Sequence, residues 1–258
     1  MPGHIVRHLK PEEEELLRKR EELAAVRATL AERELELVDL RSQLAAFEGR
    51  YLRQVGTLYA ELDAWNARIS ELKARIDPSD ASKAQSEEAR EKARQTYEDA
   101  HGRASEAHAF APSPELKKTY REVARRIHPD FADDTADRER RTQFMTEANR
   151  AYEAGDAEAL QRILDKYQDG AEVKGEGIGV ELIRIIRQIS LAKTRVSDIQ
   201  QELAGMRQSE IALLKRQAEE YEQEGRDLLA ELASAVREQI ELARKKHDGL
   251  SGQEVNSA

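Results

Sequence analysis

The residues in this chain best placed to do chemistry are three neighbours, His128, Pro129 and Asp130. An imidazole and a carboxylate on either side of a proline are held in fixed orientation, because proline locks its own φ and restricts the residue before it. Such a pair suits a charged or hydrogen-bonded contact with another macromolecule. The other histidines, His4, His8, His101, His108 and His247, are scattered, and none has a neighbouring carboxylate in an obvious triad or metal pattern. His4 and His8 have a four-residue spacing that can hold a metal on a helix, but they lie at a terminus where fraying is expected. No catalytic residue, metal site or cofactor is therefore predicted, and the chain reads as a non-enzyme.

The element that must position the bend is the run before it, SPELKKTYREVARRI. Leu116, Tyr120, Val123 and Ile127 fall on one helix face. Ser113 suits an N-cap and Pro114 suits the first turn. Lys117, Arg121 and Arg125 lie four apart on another face, with Lys118 and Arg126 nearby. This short helix is basic inside a chain of net charge -9, an inversion of sign that marks a surface for an acidic partner. The helix must stop at His128–Pro129. After a loop, a second helix carries Phe144, Met145, Ala148, Ala151 and Tyr152, and Gly155–Asp156 leads into a short third with Leu160, Ile163, Leu164 and Tyr167.

A basic amphipathic helix ending in His-Pro-Asp, followed by a helix carrying EANRAY, resembles the J-domain family of co-chaperones over residues 113–167. The resemblance implies a small helical domain that docks on a DnaK-type heat-shock chaperone and stimulates its ATP hydrolysis. Lys117, Lys118, Tyr120, Arg121, His128, Pro129 and Asp130 match the family's helix and loop positions, and Ala151–Tyr152 matches its Ala-Tyr pair. Arg125 joins this set from its place on the basic face. The chain differs from the family pattern in three places. No aromatic first helix precedes Leu116, Phe131 stands where a basic residue is usual, and AGDAEAL follows Tyr152.

Composition frames the rest. With 36% charged and 5% aromatic residues, and a mean hydropathy of -0.77, the chain is too polar for one large core and suits long helices. Cysteine is absent, which excludes a disulfide framework, a thiolate zinc site and a cysteine nucleophile. The amino terminus lacks the apolar core of a signal peptide and no run reaches the length of a membrane span, so a soluble cytoplasmic protein is expected. The acidic balance opposes general nucleic-acid affinity.

The sequence predicts an all-α protein in six segments. Residues 1–77 form a coiled-coil helix, with apolar residues from Leu23 to Ile76 in alternating steps of three and four. Its consecutive four-residue steps Phe47–Tyr51–Val55 form a stutter. Residues 78–112, after the Asp77–Pro78 break, form an alanine-striped connecting helix. Residues 113–167 form the J-like domain. Residues 168–179 are a glycine-rich linker; without a Lys-Ser/Thr ending or a preceding strand they do not form a phosphate loop. Residues 180–248 form a second long helix, and 249–258 a flexible tail. Two helices of matched length around one insert predict an antiparallel stalk with the J-like domain at its tip; a parallel or antiparallel homodimer also buries both seams.

The expected function is a co-chaperone. The partner-binding residues are Lys117, Lys118, Tyr120, Arg121, Arg125, His128, Pro129 and Asp130, and the coiled coil binds a client or assembly partner. The competing expectation is a coiled-coil scaffold or adaptor whose J-like module no longer stimulates a chaperone and serves as a docking knob.

Overall fold

The computed structural model describes residues 10–102, 110–167 and 177–257. Its elements, in chain order, are α1 (Pro11–Tyr51), a π-helical turn (Leu52–Gly56), α2 (Thr57–Ile76), α3 (Asp80–Gly102), α4 (Pro114–Ile127), a 3-10 turn (Pro129–Phe131), α5 (Thr135–Glu153), α6 (Ala157–Lys166), α7 (Ile178–Arg207), α8 (Glu210–Gln223) and α9 (Leu228–Ser257). No strand occurs among the described residues, so the fold class is all-α. No described helix is long and apolar enough to cross a membrane. The chain forms two compact units. One comprises α1 as far as Ser42 together with Phe110–Arg207; the other comprises Gln43–Ala109 and the chain from Gln208 onward.

In the first unit α1 pairs with α7 through a seam in which Leu16, Leu23, Leu30 and Leu37 pack with Ile185, Ile189, Ala192, Ile199 and Leu203. Polar pairs flank the seam at constant offset. Arg20 Nε donates to Glu181 at 3.0 Å, Arg27 to Gln188 at 3.5 Å, Arg195 Nε to Glu34 at 2.8 Å, and Arg41 pairs with Glu202, each 161 residues apart. On the other flank Lys193 donates to Glu22 at 2.6 Å and Arg207 pairs with Glu36, each 171 apart. A constant difference arises only when both helices run in the same sense. The two helices are therefore parallel, with flanking charges matched as in a parallel coiled coil, and the antiparallel expectation is corrected.

The second unit contains a chain reversal of its own. The break at Asp77–Pro78–Ser79 turns α3 back along α2, and Lys92 Nζ and Thr96 Oγ1 both donate to the buried Asp63, at 3.1 and 3.0 Å. This hairpin is a reversal that the expected stalk, which turned at the J-like module alone, did not include. On α2, α9 again runs parallel: Leu58 shares a cluster with Leu228 and Leu232, and further along both helices Arg244 donates to Glu61 at 2.6 Å and Trp65 meets His247 edge-on.

Other expectations change in detail. The Phe47–Tyr51–Val55 stutter is absorbed by the π-helical turn, which takes up the extra residue without ending the helix. The second long helix is three. Ser209 caps α8 by accepting the Ala212 N–H, and Gly225 closes α8 at φ 75° with the Arg226 N–H on the Tyr221 carbonyl, a left-handed stop that glycine adopts without strain. Asp227 then caps α9. The expected tail is helical through Ser257. Of the glycine-rich linker expected over 168–179, residues 168–176 lie outside the described residues, as does the His4–His8 pair, while Ile178 and Gly179 already belong to α7.

The parallel register is testable in a chain without cysteine. Midway between the two flanking offsets, Val26 faces Ala192, and both belong to the seam cluster. Cysteines at these two positions should form an intrachain disulfide under mild oxidation, while a Leu16/Leu203 cysteine pair, which antiparallel helices would bring together, should not.

Candidate functional site

The site is built from α4 outward. Ser113 Oγ accepts the Leu116 N–H at 3.1 Å and Pro114 occupies the first turn, a cap worth about 1 kcal/mol. The apolar face of α4, Leu116, Tyr120, Val123, Ala124 and Ile127, packs on Met145, Ala148, Ala151 and Tyr152 of α5 and on Leu160, Ile163 and Leu164 of α6. Ala31, Leu35 and Val38 of α1 complete the same core. The apolar face that these small helices pack on is thus supplied by α1.

Two of the basic residues expected to face a partner are engaged on α1. Lys117 Nζ donates to Asp39 at 3.0 Å, and Arg121 Nε lies 2.8 Å from Glu32. Asp39 also accepts the Tyr152 hydroxyl at 2.9 Å, while the Tyr120 hydroxyl donates to Asn149 at 2.7 Å. Tyr120 is fully buried and stacks at a tilt on Tyr152, so it belongs to the core and not to a partner surface. Burial pushes its hydroxyl pKa far above the ordinary tyrosine value. Lys118 and Arg125 remain exposed, with Arg125 paired to Glu122 on the same helix.

The bend itself points inward. His128 is 4% exposed. Its Nδ1 accepts the Asp130 N–H at 3.1 Å, which leaves the proton on Nε2 to be donated to Glu34 Oε1, 3.1 Å away. Glu34, 6% exposed on α1, also takes Arg195 Nε from α7. Burial alone would raise the Glu34 pKa, but the hydrogen bonds from His128 and Arg195 outweigh it and hold the carboxyl below its ordinary range. The Asp130 side chain is largely buried, with Arg138 at 3.6 Å. Phe131 lies in the α1–α7 seam under the Arg27 guanidinium, 4.6 Å from the ring centroid, and its carbonyl accepts Gln188 Nε2 at 3.0 Å. Buried Arg141 fixes the approach, with Nη1 on the Arg126 carbonyl at 2.9 Å and Nε on Asp137 at 2.6 Å.

The arrangement is a crosslink. Both imidazole nitrogens are engaged, and the residues around them come from α1, α7 and the turn. The structure brings Lys117, Arg121 and His128 together with α1, leaves Lys118 and Arg125 outside, and adds Glu34, Asp39, Gln188, Arg195 and Phe131, which sequence reasoning did not select. A signal for them existed. Glu34 and Arg195 flank their seams at positions that face each other in parallel pairing, and Phe131 is an apolar residue in an otherwise polar loop.

Two outcomes follow from this geometry. Phe131→Ala should lower unfolding free energy by about 3–5 kcal/mol, measured in urea, because it empties a filled site in the seam. Glu34 has a depressed pKa in the folded protein, so its contribution is present above the unfolded carboxylate value of about 4.3 and is lost as pH falls through the lower folded value. Glu34→Gln should therefore narrow the stability gap to the parent chain as pH drops through that window, in denaturation midpoints taken at each pH. Comparison of the chain with protein-family models, curated proteins and solved structures finds no match.

Proposed function

We propose that this chain is a non-enzymatic coiled-coil scaffold in which the J-like hairpin serves as a structural clasp. The observation that carries this reading is the inward position of His128, bonded to Glu34 and through it to Arg195. A surface used to engage a chaperone must be reachable, and here Lys117, Arg121, His128 and Phe131 are committed to α1 and α7. An interaction role also accords with the large apolar residues exposed on the first turns of α7, Val180, Ile183 and Ile186.

The co-chaperone reading keeps specific support. The His-Pro-Asp tripeptide is present at the end of a basic helix, and Lys118 and Arg125 are exposed. In that reading the basic residues raise the association rate with an acidic chaperone surface, and His128 and Asp130 contact the chaperone once the bend is free.

The two readings separate in a single-turnover ATPase assay with a DnaK-type chaperone. The scaffold reading expects no acceleration by the intact chain. Acceleration that Asp130→Asn abolishes, and that weakens in moderate salt, would replace it with the co-chaperone reading.

A further inference from the structure

The two faces of α1 that meet the rest of the first unit are separable. Ala31, Leu35 and Val38 seat the hairpin of α4, α5 and α6, and that core contains no residue of α7 among the described residues. Leu16, Leu23, Leu30 and Leu37 hold α7, and only Phe131 of the hairpin region enters that second cluster. Loss of α7 therefore leaves the hairpin core on α1 intact while removing Gln188 from the Phe131 carbonyl, Arg195 from Glu34 and the apolar cover from the Phe131 ring.

The α1–α7 seam is also weak where the bend enters it. In the heptad register fixed by the flanking pairs, the layers between the leucines hold Lys19, Val26 and Arg33 on α1, and Ile185, Ala192 and Ile199 on α7. Lys19, Arg33 and Ala192 add little apolar area to these layers, which leaves Val26, Ile185 and Ile199 to fill them, and the Phe131 ring adds to the same cluster. The flanking pairs Arg20–Glu181, Arg41–Glu202 and Arg207–Glu36 are half-exposed, and pairs of this kind add little and are screened by salt.

We infer that α7 is a removable cover: its separation from α1, with the hairpin still seated, exposes the Pro129–Phe131 bend to solvent. Whatever weakens the α1–α7 pairing shifts the balance toward the open form, and by linkage whatever stabilises the open bend loosens α7.

Hydroxyl-radical footprinting read by mass spectrometry tests the cover without any chaperone. In the full chain carrying Ile189→Asp, which places a charge in the seam, Phe131 oxidation should rise several-fold while Tyr120 and Tyr152, in the hairpin core, stay as protected as in the parent. Oxidation of Tyr120 in step with Phe131 would overturn the inference, because hairpin and α7 would then come apart as one body. The Val26→Cys/Ala192→Cys chain gives an arm that does not depend on a disruptive substitution. In high salt its oxidised form should protect Phe131 and its reduced form should not; equal labelling of the two forms also overturns the inference. These readouts concern the cover alone, so they stand apart from the chaperone assay that decides between scaffold and co-chaperone.

Discussion

A carboxylate buried at a three-way junction governs this structure. Glu34 sits on α1, takes one hydrogen bond from the imidazole at the end of α4 and another from a guanidinium on α7. A lone charge in such a place would cost several kcal/mol in desolvation, and removing one partner from a buried pair commonly costs 3–5 kcal/mol. The carboxylate is satisfied while buried only when hairpin and α7 are both in register on α1. Polar satisfaction thus specifies an arrangement that apolar packing alone leaves loose, since leucines accept many offsets and the Glu34 pairs accept one.

The same logic explains why the bend turns inward. A histidine at a helix end before proline is free to face solvent or protein. Here the neighbouring Phe131 is apolar, and its ring finds an incomplete apolar seam within reach. Burying a phenylalanine side chain is worth about 1.5–3 kcal/mol, and the guanidinium of Arg27 over its face adds to that. Once Phe131 is inserted, His128 must follow it below the surface, and Glu34 is the acceptor waiting there.

Much of the local structure was legible. The N-cap at Ser113, the stop at Pro129, the break at Pro78 and the stutter near Tyr51 all follow from single residues whose backbone preferences are strong. The direction of α7 was not, because a heptad of apolar residues reads the same for parallel and antiparallel partners. Only the charges beside the seam distinguish them, and these require a trial register. The outer face of α1 was hidden in a different way. Ala31, Leu35 and Val38 recur at helical spacing, but they interleave with Leu30 and Leu37, so a search for one seam absorbs them as noise. A second stripe offset from the first was the sign that this helix is covered on two sides. The site inherited both errors: without the register and the second stripe, nothing directs attention to Glu34, Asp39 or Arg195.

That doubly covered helix carries a consequence for biosynthesis. As the chain emerges from the ribosome, α1 comes first, yet its two coats are encoded roughly eighty and one hundred and sixty residues later. Until then its apolar stripes stand exposed in the nascent chain, and contacts of such long sequence separation form slowly. The interval is a window for misassembly with neighbouring chains on the same messenger, and it closes in two steps, first when the hairpin docks and then when α7 arrives.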